Sequence, residues 1–475
     1  MADILFYFQI DLLLVWIAFG ILLLEGILWF LHVLAICCGK WKLHRKLASG
    51  PRETPLPGVS ILKPLLGVDA NLYSNLETYF TLDYPTYEIL FCVHDAQDSA
   101  VMVVRSLMEK YPKVDAQLFI GGDYVGVNPK INNLMPGYTA AKYDLLVIAD
   151  SGIRMRKDTV MEMVCAMTEK VGLVTQLPFT CDRKGFSSTL EKVYFGTGHA
   201  RIYLGANFLG VVCTTGMCSL MRKPALEDVG GLKAFGMYMA EDFFVGYALA
   251  NKGWKTAISS QPALQNSAVL DVGKFQDRIC RWAKLRIAML PYTVIMEPLQ
   301  ECFVIGLLCS WAVNLLFQWN SLVFFLIHVL IWMLLDYVLL SIVQNGPLPF
   351  GKFEYVACWL YRELNCLPIF IKALCYPTLS WRGATRYKLR WGGKAVVVSG
   401  LEYLQPNNYA ASLGEKCAEA TRTTALTVAS TAPPTYEYCA AEEHSRMLRT
   451  AGLDGRDGCL PYYYQHHKKS NSAIV

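Results

Sequence analysis

The stretch YDLLVIADSG at residues 143–152 decides how the middle of the chain is read. Its apolar core, Leu145 to Ala149, ends on an acidic residue and a Ser-Gly turn. A short apolar run closed by a turn signal fits a strand buried on both faces, as in a parallel sheet. Asp150 then stands at the carboxyl end of that strand, where open α/β sheets bind their ligands. Comparable runs lie on either side: VSILKPL (59–65), YEILFCV (87–93), AQLFIG (116–121), VGLVTQL (171–177), GMCSLM (216–221) and WKTAISS (254–260). Between them NLYSNLETYF and VMVVRSLMEKY carry apolar residues at helical spacing. Residues 46–290 therefore read as an α/β domain with a mainly parallel sheet.

Outward from this domain the composition changes. The 475 residues are 54% apolar and 17% charged, against about 25% charged in soluble domains. Residues 12–38 are almost all apolar, long enough for the roughly 20 residues that cross a hydrocarbon core, and no small-residue cleavage site follows. Lys40, Lys42, His44, Arg45 and Lys46 lie behind this run and only Asp11 before it, so the positive-inside rule predicts a cytosolic α/β domain. Glu25 interrupts the run and is expected to face other helices. Residues 1–45 thus read as a transmembrane anchor.

Beyond the domain, 302–317 and 321–343 predict two further spans, and 355–376, with Arg362, Glu363 and Lys372, is a third candidate span or an amphipathic helix at the interface. The basic stretch WRGATRYKLRWGGK (381–394) favours the cytosolic side, so 291–395 reads as a C-terminal membrane region. Residues 396–475, rich in Ala, Thr, Ser and Pro without periodicity, read as a disordered tail. A net charge of +5 spread along the chain argues against nucleic acid as a partner. The 16 cysteines show no CxxC pairing, and reduced thiols are expected.

Several residues carry chemistry. Asp95 follows YEILFCVH and Asp150 follows YDLLVIA, which sets both along one rim if the strands are parallel; each alone reads equally as a turn or capping aspartate. A hard cation such as Mg²⁺ takes only one or two protein carboxylates, so Asp150 alone can serve a metal-diphosphate complex and Asp95 a nucleoside. Lys130 and Asn133, in NPKINN, offer an ammonium and an amide to the same nucleotide, or form a solvated loop. Glu241-Asp242 enters a helix and reads as a cap or as a base for a hydroxyl, with Asp242 favoured. Arg278, Arg281 and Trp282 share a helical face, where Arg281 could neutralise a departing diphosphate and Trp282 close a pocket; a basic helix lying on anionic lipid is the competing account. His199 in GTGHAR reads as a contact for a hydroxylated head group or as a structural histidine. Cys213 reads as a core thiol.

Together, Asp95, Asp150 in ADSG, Asp242 in AEDFF and RxxRW at Arg278 to Trp282 resemble the D,D,D,(Q/R)xxRW signature of membrane glycosyltransferases. KPLLGVD, NPKINNLMPGY, DSGIR, KLRIAMLP and WRGATRYKLR are similar to the ceramide glucosyltransferase family. The resemblance implies a GT-A type nucleotide-sugar-binding domain inserted between transmembrane helices, and inverting transfer of glucose from UDP-glucose to the primary hydroxyl of ceramide. It implies a divalent cation, Mg²⁺ or Mn²⁺, at Asp150, and a multi-pass protein in Golgi membranes whose catalytic domain faces the cytosol. Asp242, Arg278, Arg281 and Trp282 would be catalytic. Lys63, Asp95, Lys130, Asn133 and Asp150 would bind the donor; His199, Glu241 and Trp282 would bind the acceptor. Asp150-Ser151-Gly152 departs from the wider superfamily in lacking the second acid of a DxD motif. A processive polysaccharide synthase and a non-catalytic nucleotide-binding membrane protein are the other readings, and an oligomer is compatible with all of them.

Overall fold

In a computed structural model, which describes residues 2–45, 55–268, 271–380 and 385–398, all seven apolar runs become strands of one sheet. They are β1 (Val59–Leu65), β2 (Tyr87–Val93), β3 (Asp115–Ile120), β4 (Leu145–Ala149), β5 (Val171–Thr175), β6 (Cys218–Arg222) and β7 (Lys255–Ile258), in the order β3-β2-β1-β4-β6-β5-β7. β3, β2, β1 and β4 are mutually parallel. β6 departs from the expected direction and is antiparallel to both β4 and β5. Its physical reason is local: the amide of Asp150, at the end of β4, donates to the carbonyl of Met217, so the chain enters β6 at the carboxyl edge of the sheet. Every residue of β4 and of β5 is buried, as expected of strands covered on both faces.

The helices that matter for the site are α1 (Ala2–Lys42), α2 (Pro129–Ala140), α3 (Ala200–Phe208), α4 (Glu241–Asn251), α5 (Val272–Met289), α6 (Thr293–Leu299), α7 (Cys302–Phe317), α8 (Ser321–Gln344) and α9 (Lys352–Cys375). One sheet face packs Leu62, Leu90, Leu146 and Ile148 against Ile131 and Leu134 of α2 and Val245 and Leu249 of α4. On the other, Val59, Ile61, Phe91 and Val147 belong to an apolar core that continues into Ala35 and Cys38 of α1, Trp332 and Leu339 of α8 and Trp359 of α9. Among the described residues, one apolar cluster runs from the sheet into the apolar helices.

By length and composition, Asp11–Lys42 and Ser321–Gln344 can cross a membrane, and α6 with α7 forms a pair bent by 77° that is a third span or a re-entrant loop. α7 alone, at about 1.5 Å per residue, is roughly 24 Å long and falls short of a hydrocarbon core of about 30 Å. α9, over the third candidate, buries the charged pair Arg362 and Glu363. Residues 378–398 form a small sheet of Thr378–Ser380, Arg386–Leu389 and Ala395–Val398, whose Leu379, Tyr387 and Ala395 pack on Met239 and Leu285 beside α4 and α5. The basic stretch expected over 381–394 lies partly outside the described residues, and the expected tail does so from residue 399 onward.

Polar groups inside the apolar helices are joined to one another. Glu25 of α1 meets His328 Nδ1 of α8 at 2.7 Å and also accepts from Trp29. His32 Nε2 of α1 lies 3.2 Å from Asp336 of α8, which also faces Arg362 of α9 at 3.1 Å, Arg201 of α3 at 3.7 Å and the indole N–H of Trp359 at 2.8 Å. Removing one member of such a buried group exposes the others to an uncompensated charge. Asp336→Ala is therefore expected to cost roughly 3–5 kcal/mol of stability, read as a lowered unfolding temperature of the detergent-solubilised protein; a loss below about 1 kcal/mol would show that water reaches the network.

Candidate active site

The site begins with a helix cap. Asn128 Oδ1 accepts from the amides of Lys130 at 2.9 Å and Ile131 at 3.4 Å, and Pro129 fills the first helical position, where a missing N–H costs nothing. This sets Lys130 in the first turn of α2, above the carboxyl ends of the parallel strands. Its ammonium reaches Asp150 Oδ1 at 2.9 Å, Glu241 Oε1 at 3.0 Å and the carbonyl of Gly216 at 3.0 Å. Burial works against the charge of Lys130, but Asp150 and Glu241 outweigh it and hold the pKa above the usual lysine value. Asn128 Nδ2 donates to Glu241 Oε2 at 3.1 Å, fixing that carboxylate from its other side. A Cβ on Gly216 would lie 3.1 Å from Lys130 Nζ and 3.5 Å from Asp242 Oδ2, so a larger residue would crowd the cluster.

Asp242 follows Glu241 in the first turn of α4. Burial, and then the neighbouring Glu241 charge, pushes its carboxyl up to about 6, against the opposing pull of Lys130 and the amides of Phe243 and Gly216. A carboxylate with that pKa is ionised at neutral pH yet basic enough to take a proton from a hydroxyl in flight.

A cavity of about 1420 Å³ opens from this cluster. Its lining includes Lys130, Asp150, Glu241 and Asp242, then Arg278, Arg281, Trp282 and His199, and also Glu301, Arg362 and Cys366. One flank is apolar: Ile202, Val211, Tyr292 and Met296 border the cavity and are 43%, 55%, 62% and 46% exposed.

The helix expected for QDRICRWAKLR is α5, capped by Asp271 Oδ1 accepting from Gly273 N at 2.6 Å. Its two arginines differ in setting. Arg278 is held from below by Gln265 Oε1 at 2.9 Å and Glu191 Oε1 at 3.4 Å, with its guanidinium 4.7 Å from the Trp282 ring centre. Trp282 in turn lies 6.3 Å from the stacked ring of Tyr194. His199 closes a single π-helical turn, Phe195–His199, and stacks on Tyr203 at 4.5 Å. Burial, then Arg286 and Arg278, pushes the His199 imidazole down to about 3, so it is neutral at pH 7. Its Nδ1 is buried without a hydrogen-bond partner among the described residues.

Two residues expected to bind the donor are not among those that line the cavity. Lys63 is fully buried beneath the site, donating to the carbonyl of Asp150 at 2.7 Å with the Tyr79 ring 3.9 Å away; burial pushes its pKa down to about 7. It holds the backbone of Asp150 and does not border the cavity. Asp95 forms a turn just past β2, its Oδ1 accepting from the amide of Gln97 at 2.9 Å, and His94 borders the cavity in its place. Asn133 does line the cavity, while its Nδ2 ties the ends of β1 and β2 through Leu65 O at 3.3 Å and Cys92 O at 2.9 Å. Cys213 also borders it, but burial pushes that thiol up to about 12 and keeps it protonated. Sequence reasoning missed Tyr203, Thr214, Arg286 and Glu301 altogether, while Arg362 left a signal as a charge within 355–376.

The raised pKa of Asp242 has a sign that stability can test. A carboxyl held above its ordinary value penalises the folded state wherever it is ionised: fully above pH 6, and not at all below about pH 4. Asp242→Asn is thus expected to stabilise the protein by about 1–2 kcal/mol at pH 7.5, the cavity's solvent screening part of the effect, and to change it little at pH 4. Thermal unfolding at the two pH values checks this; a variant that melts lower at pH 7.5 contradicts it.

Residues 27–395 match the family model described as glycosyl transferase family 21. Ceramide glucosyltransferase 3 of Caenorhabditis elegans is 50% identical over 369 residues, covering 77% of this chain and 80% of that protein. Ceramide glucosyltransferase 1 of the same organism is 46% identical over 383 residues, covering 79% and 81%. Among solved structures, the mannosyltransferase PcManGT from Pyrobaculum calidifontis, in complex with GDP-Man and Mn²⁺, is 16% identical with a TM-score of 0.47, over 76% of this chain and 99% of that one. With a family match that runs from the first apolar helix to the last described strand, the chain belongs to glycosyl transferase family 21.

Proposed function

We propose that this enzyme transfers glucose from UDP-glucose to the primary hydroxyl of ceramide, with inversion, at the cytosolic face of Golgi membranes. One observation carries the lipid acceptor: a single cavity joins the Lys130 cluster to an apolar flank beside the membrane helices. A two-tailed lipid cannot leave the bilayer, so its hydroxyl has to be met there. The names of the relatives at 50% and 46% identity favour ceramide and glucose over other lipids and sugars. The basic Lys40, Lys42 and Arg45 at the end of α1 favour the cytosolic orientation. In this division residues 1–45 anchor, 46–290 catalyse and 291–395 form the membrane floor.

Lys130, Asn133 and Asp150 hold the diphosphate end of the donor, with Asp95 at the rim for the ribose or base; Lys63 contributes by fixing Asp150. Asp150 suits a divalent cation, Mg²⁺ or Mn²⁺. Its side chain is 45% exposed, and among the described residues no set of three ligating side chains gathers there, as fits an ion that relies on water and phosphate for most of its shell. Bound, the cation would neutralise charge on the leaving diphosphate.

The acceptor hydroxyl lies against Asp242, with Trp282, His199 and Glu241 around it. Asp242 takes its proton as the oxygen attacks the anomeric carbon from the face opposite UDP, which inverts that centre in one displacement. Arg281, its guanidinium suited to bidentate phosphate contact, stabilises the departing UDP, and Arg278 holds Trp282 in place.

Purified protein with radiolabelled UDP-glucose and ceramide is expected to give labelled glucosylceramide, with kcat/KM falling as pH drops through about 6. Asp242→Asn should lower turnover roughly 10²–10⁴-fold while the protein stays folded. A water-soluble polymer as product would instead indicate a polysaccharide synthase, and absence of UDP release with any lipid acceptor would overturn the activity.

A further inference from the structure

The apolar flank of the cavity continues onto two elements whose outer sides are left uncovered by the described residues. The first is α3, which lies against the membrane span α1: a Cβ on Gly205 would sit 3.4 Å from the Leu31 carbonyl oxygen, and Leu31 is eleven residues short of the end of α1 at Lys42, roughly 16 Å along the helix. Arg201, near the start of α3, reaches Asp336 of α8 at 3.7 Å, while Asn207, near its end, accepts from Lys42 Nζ at 3.4 Å. The ends of α1 and α8 meet there, with His44 Nε2 2.9 Å from the Val343 carbonyl oxygen. Trp41, exposed between Lys40 and Lys42, is the aromatic-basic pairing found where hydrocarbon gives way to water. α3 therefore rises from below that boundary to meet it, and Phe208, Leu209 and Val211, where it ends, are exposed. The second element is α6, none of whose residues is buried. Its carboxylate, Glu297, turns back to Arg286 of α5, and Ile295 is left 64% exposed with Tyr292 and Met296 also exposed.

Val211, Tyr292 and Met296 both border the cavity and are exposed, so the cavity reaches the surface at these side chains. An apolar surface gathered around one opening is disfavoured in water. Both elements are also continuous with helices able to cross a membrane: α3 packs on α1, and α6 leads into α7 through the 77° bend. We infer that α3 with the 208–211 turn, and α6, dip into the leaflet nearest the α/β domain and form a lateral portal. The hydrocarbon of that leaflet covers their outer sides, and a two-tailed lipid slides its head group between them into the cavity while its tails stay among other tails. The irregular backbone after α3 is tolerated at that depth because Cys213, Thr214 and Thr215 line the cavity. The inference rests on the lipid-acceptor reading proposed above and adds the route by which the acceptor arrives.

Photolabelling reads the bilayer contact without turnover. The full-length protein is placed in nanodiscs of phosphatidylcholine that carries a diazirine on one acyl chain, irradiated and digested. Label is expected within 208–211 and within 292–296, as on α1 and α8, and not on Tyr247, which is exposed on α4. Labelled α1 and α8 with either rim segment unlabelled would overturn the portal. Activity supplies the second arm. Phe208→Asp combined with Ile295→Asp sets a charge on each rim at positions outside the cavity lining. The double variant is expected to lose roughly 10–100-fold in kcat/KM for long-chain ceramide embedded in nanodiscs, to keep its KM for UDP-glucose, and to retain most of its activity on a short-chain ceramide delivered from water. Equal losses on the two acceptors would assign the rim a merely structural role and overturn the inference. A parent protein that takes up label at both segments yet makes no glucosylceramide fails the functional reading alone, a separate outcome.

Discussion

Lys130 is the interaction on which the site depends. One ammonium draws together the end of β4 through Asp150, the start of α4 through Glu241 and the loop before β6 through Gly216. Without it two carboxylates would face each other across a partly dry cavity, and like charges at that range are costly at low dielectric. The ammonium also divides labour between adjacent acids. Glu241 forms an ion pair with it, while Asp242, one residue on, keeps a raised pKa. A helix N-terminus that would ordinarily carry a capping acid thus presents two carboxylates in different electrostatic settings.

The sheet was legible because its strands are uninterrupted apolar runs closed by turn residues, and burial on both faces is what such runs satisfy. The direction of β6 was not, since it depends on where the chain re-enters the sheet after the helices of residues 186–208, a matter of tertiary packing. Asp150, Asp242 and Trp282 could be read as cavity residues from their place at a strand end, a helix start and a helix face. Lys63 could not: a lysine late in a buried strand reads as a ligand contact until its partners, a carbonyl and an aromatic ring, are seen to satisfy it in the interior. Arg278 and Arg281 share a face by spacing, but that Arg278 meets Glu191 and Gln265 depends on tertiary packing. Part of the cavity wall comes from α6, from Glu301 at the break that follows it and from α9, and no local pattern announces that Glu301 and Glu363 meet.

The same packing explains why the apolar helices hold charge. Asp336, His32, Glu25 and Arg362 would be prohibitive if each faced lipid alone, but their partners come from different helices, so the cost falls once the bundle closes. The network also reaches the site: Arg362 binds Thr197 in the π-helical turn that carries His199. π-Helical turns of this kind are found mostly where a side chain must be aimed. The membrane portion therefore helps to shape the wall of the cavity as well as holding the domain at the bilayer.

The first helix is usually thought of as a tether, and a tether is interchangeable. Here α1 supplies His32 to Asp336 and Glu25 to His328, and its Ala35 and Cys38 belong to the same apolar core as the sheet. A foreign apolar helix of equal length would keep the domain at a membrane while leaving two buried polar groups without their counterparts and a gap in the core. The boundary between anchor and enzyme is thus a boundary of composition; in packing the two share one core, and a cut between them would open it.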